Sequence, residues 1–149
     1  MSAKTAAFEP SDLAVNRKLE VQEINMEYLE KIRELCRDSG VELMLMNSPN
    51  LKIYRDSRVK IEAYAKENGL NYLHFESAEE IQEIGLRLDQ HFYNKKHLNI
   101  MGQRVFSEFL AGYITEHYSI ETHEADSALC DVWNQTYQEY LEYYEAAER

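Results

Sequence analysis

Twice in this chain a helical period runs into a glycine and then into a short apolar stretch. That repeated unit constrains the fold more than any other feature of the sequence. In its first occurrence Val21, Ile24, Tyr28, Ile32 and Leu35 recur at spacings of three and four, which is one side of a helix. Ser39-Gly40 stops the helix, because glycine accepts the left-handed geometry of a C-terminal cap. The run Val41-Glu42-Leu43-Met44-Leu45-Met46 follows, nearly all apolar, as in a strand covered on both faces of a parallel sheet. Asn47-Ser48-Pro49-Asn50 reads as the loop that ends it. The second occurrence is a helix over about 56–68, Gly69, and a strand over 70–75. The pattern predicts an α/β fold in which 41–46 and 70–75 pair in parallel through a right-handed crossover.

The remaining elements are read from caps and periods. Ser77-Ala78-Glu79-Glu80 matches a capping box and predicts a short helix ending at Gly85. Residues 86–98 carry no clear period and read as a long loop. A helix is predicted from about Asn99 to His117, with Val105, Phe109, Leu110, Tyr113 and Ile114 on one side. A last helix over about 127–147 gathers Trp133, Tyr137, Tyr140 and Tyr144 on one stripe, a pattern that more often packs than binds a ligand. The organisation is therefore a tail or linker over 1–20, an α/β region over 21–120 and an aromatic C-terminal helix over 121–149.

Only two strands are clear, and a parallel pair that small is marginal by itself. The expectation is a partial three-layer αβα sheet with few strands and a long C-terminal helix. Further strands would come from a missing N-terminal half, a partner chain or the weakly patterned N-terminus. Unpaired strand edges and partly covered residues such as Val41, Leu43, Leu45, Tyr72 and Leu73 would favour self-association.

Composition narrows the function classes. The chain has 149 residues, one domain's worth, and carries a net charge of −11. That charge disfavours nucleic acid and anionic membrane surfaces, which need clustered Lys and Arg, and the longest basic cluster is Lys95-Lys96. No apolar run approaches a membrane span, and Met1 to Pro10 lack the apolar core of a signal peptide. As written, the chain is cytoplasmic or follows an export segment upstream. Cys36 and Cys130 are far apart and suggest no disulfide framework. His74 falls in a strand and His91, His117 and His123 are scattered, with no H-x-x-x-H or C-x-x-C pair, so no metal or cofactor is implied.

The most informative segment is Phe92-Tyr93-Asn94-Lys95-Lys96-His97-Leu98-Asn99-Ile100-Met101-Gly102. Asn99 is a good N-cap for the helix that follows. Gly102, in its first turn, lets another backbone come close. A histidine on a loop braced by a helix start is how α/β enzymes present a general base. This stretch, continued by Val105, Phe106 and Tyr113-Ile114, resembles the last block of SGNH/GDSL hydrolases, which reads D-x-x-H-L-N-x-x-G in many members. It looks closest to cell-surface relatives that include alginate O-acetylation and teichoic-acid D-alanylation proteins. Asn25 to Leu29, Leu45 to Pro49 and the helix Trp133 to Tyr144 are similar to neighbouring parts of those proteins, so the resemblance covers about 25–144.

The resemblance implies that His97 is the general base and that the residue at Asn94 orients it. It also implies acylated cell-envelope glycans as substrate and an extracytoplasmic setting. Two departures stand out. Asn94 occupies the place of the family's Asp, and an amide orients an imidazole without stabilising imidazolium by charge. The chain also has no G-D-S nucleophile block and no Gly or Asn block to complete an oxyanion hole. Ser48 follows a strand, but no glycine flanks it to allow a nucleophile elbow, so it reads as a loop serine. The leading expectation is the C-terminal part of an SGNH-like acyl-ester hydrolase or O-acyltransferase, inactive as an isolated chain. The alternatives are a non-catalytic α/β interaction module that lost the active site and an unrelated flavodoxin-like domain.

Overall fold

A computed structural model describes residues 4–12, 21–52, 54–120 and 127–148. His123 lies outside them, as do residues 13–20. The chain divides into two compact units, one of Glu9–Glu80 and one of Met1–Phe8 with Ile81–Arg149. The architecture is mixed α/β, with a small parallel sheet and a C-terminal helix.

In the Glu9–Glu80 unit a 3-10 turn at Pro10–Asp12 precedes α1 (Glu23–Asp38), β1 (Met44–Asn47), α2 (Arg55–Glu67) and β2 (Asn71–His74). The two strands pair in parallel, with Met44 opposite Asn71 and Asn47 opposite His74. The two glycine stops use one device. Gly40 has φ 67° and Gly69 φ 64°. The residue after each glycine donates back into the helix, Val41 N–H to Cys36 O at 2.8 Å and Leu70 N–H to Ala65 O at 2.8 Å. These are Schellman-type closures. They also explain why β1 begins at Met44 and not at Val41: the backbone of 39–41 is occupied in capping α1.

The apolar stripe of α1 points the other way from the one its period suggests. Ile24, Tyr28, Ile32 and Leu35 are exposed, Leu35 at 67%. The sheltered side carries Met26, Leu29, Glu30, Arg33 and Cys36, also at helical spacing. It is held by polar contacts. Tyr64 of α2 donates its hydroxyl to Glu30 Oε2 at 2.5 Å, and Arg33 Nε donates to the same oxygen at 2.9 Å. The Arg33 hydrogen bonds, then that of Tyr64, hold the Glu30 carboxyl down to about 2. The unit's buried apolar residues are Leu51, Ala65 and Phe75, with Pro49 also enclosed. Leu43, Leu45, Tyr72 and Leu73 are half-buried and Val41 is exposed, the partial cover that a two-stranded sheet predicts.

The capping box forms as read. Glu80 N–H donates to Ser77 Oγ at 3.0 Å, Ser77 N–H donates to Glu80 Oε2 at 2.9 Å, and α3 spans Ala78–Glu83.

In the other unit the segment read as an unstructured loop contains an antiparallel hairpin, β3 (Phe92–Asn94) and β4 (His97–Leu98). Three- and two-residue strands are too short to show alternation. Residues 4–8, read from the sequence as part of a tail, are tied to this hairpin. Ala6 N–H donates to Phe92 O at 2.8 Å, Phe8 N–H to Leu88 O at 3.2 Å, and the Phe8 and Phe92 rings meet edge to face. Ile81, Leu86, Leu88, Phe92 and Ile100 form the buried core of this unit. Two longer helices complete it, α4 (Ile100–His117) and α5 (Ser127–Glu148). The aromatic stripe of α5 divides. The Arg104 guanidinium of α4 sits 4.6 Å from the Tyr144 ring centroid, whereas Trp133 is 66% exposed. No helix among the described residues is long and apolar enough to cross a membrane.

Candidate functional site

The hairpin turn brings Asn94 and His97 together. Asn94 Oδ1 accepts from the backbone N–H of Lys96 at 2.8 Å and of His97 at 3.1 Å, which is an Asx-type turn. The same oxygen lies 3.0 Å from His97 Nδ1. An amide oxygen only accepts, so the contact calls for a hydrogen on Nδ1, and in the neutral tautomer that makes this contact the lone pair is on Nε2. His97 is exposed. With Nδ1 engaged by the amide oxygen, Nε2 is the ring nitrogen left open on this surface turn, the position a general base needs. The amide supplies orientation but no negative charge for an imidazolium.

Asn99 and Gly102 build the support beneath the turn. Asn99 Oδ1 caps α4 by accepting Gly102 N–H at 2.9 Å. Its Nδ2 donates to Gln90 O at 2.6 Å and Thr5 Oγ1 at 3.2 Å, and its N–H donates to His91 O at 3.0 Å. Gly102 packs directly on that peptide, where an added Cβ would lie 2.2 Å from His91 O. The N-cap and the close approach are both as the sequence predicts.

His91 is the histidine whose role the sequence conceals. It is 8% exposed, and its Nδ1 accepts Arg87 N–H at 3.0 Å. Burial, then the Arg87 charge, push its pKa below the ordinary histidine value, against the opposing pull of Asp89. Below the unfolded value of 6.5 the unfolded chain therefore holds this proton more readily than the folded one. Stability is expected to fall as pH drops from 6.5 toward the folded pKa. Urea midpoints at a pH above and a pH below that window test this, and His91→Gln should flatten the difference between them.

A second polar cluster stands at the carboxyl ends of β1 and β2. Asn47 Nδ2 donates to Glu76 Oε1 at 2.9 Å, Arg58 Nε lies 3.5 Å from Glu76 Oε2, and His74 Nδ1 lies 3.4 Å from Glu80 Oε1. The sequence treats His74 and Glu80 separately and gives no role to Arg58 or Glu76. Its one local signal is an acid placed directly after an apolar strand.

The other sequence candidates stay apart. Ser48 is exposed in the loop after β1, where its carbonyl accepts from Asn50 Nδ2 at 3.1 Å. His117 stacks on Tyr113 at 4.1 Å between ring centroids. Cys36 and Cys130 are free and half-buried. Among the described residues no group of three or more His, Cys, Asp or Glu is placed to hold a metal ion. Comparison with protein-family models, with curated proteins and with solved structures finds no match.

Proposed function

We propose that this chain carries the general-base element of an SGNH-like acyl-ester hydrolase or O-acyltransferase acting on cell-envelope glycans. In this reading His97 Nε2 takes the proton of a serine supplied from outside the 149 residues. Asn94 holds the ring. The three-layer αβα arrangement belongs to the same proposal, with additional strands flanking β1 and β2. The observation that carries it is the 3.0 Å contact from Asn94 Oδ1 to His97 Nδ1, which leaves Nε2 as the basic nitrogen on an exposed turn.

A second reading is a non-catalytic α/β interaction module. It is favoured by the two backbone N–H groups that Asn94 Oδ1 also accepts, since an Asx turn by itself accounts for an asparagine at this position.

Fluorophosphonate labelling separates the two. In the product of the complete coding region, a serine outside residues 1–149 should be labelled, and His97→Ala should slow that labelling. The isolated chain should take no label and should not turn over p-nitrophenyl acetate. Labelling of Ser48 within the isolated chain would sink the assignment, as would labelling of the complete product at a rate indifferent to His97.

A further inference from the structure

The Glu9–Glu80 unit contains a cavity of about 330 Å3 that the His97 turn does not explain. It opens beside the carboxyl ends of β1 and β2, the place where parallel α/β sheets gather ligands. Leu29 of α1, Leu45 of β1 and Ile61 of α2 give it aliphatic walls, and the Tyr54 and Tyr72 rings give it aromatic ones. An apolar body with a few convergent polar groups at one end is the usual make-up of a small-molecule site.

The polar end is built from Asn47, Arg58 and Glu76. The Glu76 side chain is 5% exposed, and burial lifts its pKa above the usual carboxylate range despite the opposing pull of Arg58 and Asn47. Asn47 satisfies one of its oxygens. The other, Oε2, has no hydrogen-bond partner, and neither has Arg58 Nε, although the two lie only 3.5 Å apart. A buried acceptor and a buried donor therefore stand side by side at the end of an apolar cavity, each missing a bond that is costly to leave unmade.

We propose that this cavity binds a small neutral carboxamide on an aromatic or aliphatic body, its N–H donating to Glu76 Oε2 and its carbonyl accepting from Arg58. Among the described residues of the lining only Arg58 and Glu76 are charged, with opposite signs, which disfavours both carboxylates and amines. An amide offers a donor beside an acceptor in one plane, the complement of the orphaned pair. The ligand parts a loose ion pair, and the Arg58 side chain, 30% exposed, has room to swing aside.

Benzamide is the probe, followed by amide chemical shifts of the full chain, with benzoate and benzylamine as charged controls. A ligand of nine heavy atoms at ordinary ligand efficiency should saturate with a Kd on the order of 1 mM. Shifts should centre on Leu29, Ile61, Tyr72 and Glu76, with both controls at least about fivefold weaker by the charge argument. Glu76→Gln should weaken binding about tenfold, the usual worth of a hydrogen bond to a charged group. Ile61→Trp, which fills the cavity from α2 and keeps both charged side chains, should abolish binding and serves if the Glu76 variant does not fold. The proposal is overturned by the absence of saturable shifts, by benzoate or benzylamine binding as well as benzamide, or by binding that survives Ile61→Trp.

Discussion

Gly102→Ala is expected to destabilise the unit containing residues 81–149 by about 3 kcal/mol or more, the upper range for overpacking. The new methyl would lie 2.2 Å from His91 O, 2.9 Å from His91 Cβ and 3.0 Å from His91 C. Two of those atoms are backbone, and the carbonyl is fixed because it accepts Asn99 N–H at 3.0 Å. Relief requires α4 to move away from the hairpin, which breaks the Asn99 cap and uncovers Phe92 and Ile100. A loss of that size in a unit this small corresponds to a fall in Tm of roughly 12–24 °C. Gly112→Ala is the matched control. It lies in the same helix with nothing within 4 Å of the added carbon, so it should stabilise by about 0.5–1 kcal/mol through helix propensity alone. Thermal melts of the two variants should therefore move in opposite directions. Equal, small shifts would mean that α4 does not rest on the His91 peptide.

The features legible in the sequence are those whose cause is local. The glycine stops at Gly40 and Gly69, the Ser77–Glu80 capping box and the Asn99 cap each involve groups within five residues of one another. Residue type and spacing determine them without reference to the rest of the chain. Gly102 is a partial exception: its position in a first turn announces a close approach but does not name His91 as the neighbour.

What the sequence conceals depends on distant partners. The period of α1 displays Ile24, Tyr28, Ile32 and Leu35, yet the side that packs carries Glu30 and Arg33. Tyr64, 34 residues on, makes that polar side the better fit. The α5 stripe reads as one surface, but α4 engages its Tyr137–Tyr144 part, where Arg104 reaches Tyr144, and leaves Trp133 exposed. Two strands of two and three residues leave no period to detect, so the β3–β4 hairpin reads as loop. Asn47, Arg58 and Glu76 sit on β1, α2 and the turn after β2, and no spacing rule links them. The Asn94–His97 pair lies between these cases. Its three-residue spacing is visible, whereas the direction of the hydrogen bond, which assigns the basic nitrogen, emerges only once the turn is built.

The largest functional effect expected is at His97. If its Nε2 is the base of an acyl-transfer site, removing the imidazole removes proton transfer from the nucleophile. Loss of a general base costs about 10²–10⁴ in rate. The turn should survive the change, because Asn94 Oδ1 still accepts the backbone N–H groups of Lys96 and of residue 97, and Asn99 still caps α4. A fall in kcat would therefore reflect chemistry and not unfolding, and an unchanged melting temperature would verify it. Asn94→Asp restores a carboxylate beside the ring and should raise kcat, since a charge stabilises imidazolium where an amide does not. The direct measurement is kcat for p-nitrophenyl acetate with the product of the complete coding region, compared with its His97→Ala variant at equal folded concentration. The variant should lose about 10²-fold or more. Equal kcat values for the two proteins, or no turnover by either, would contradict it and leave the non-catalytic interaction module as the reading of this chain.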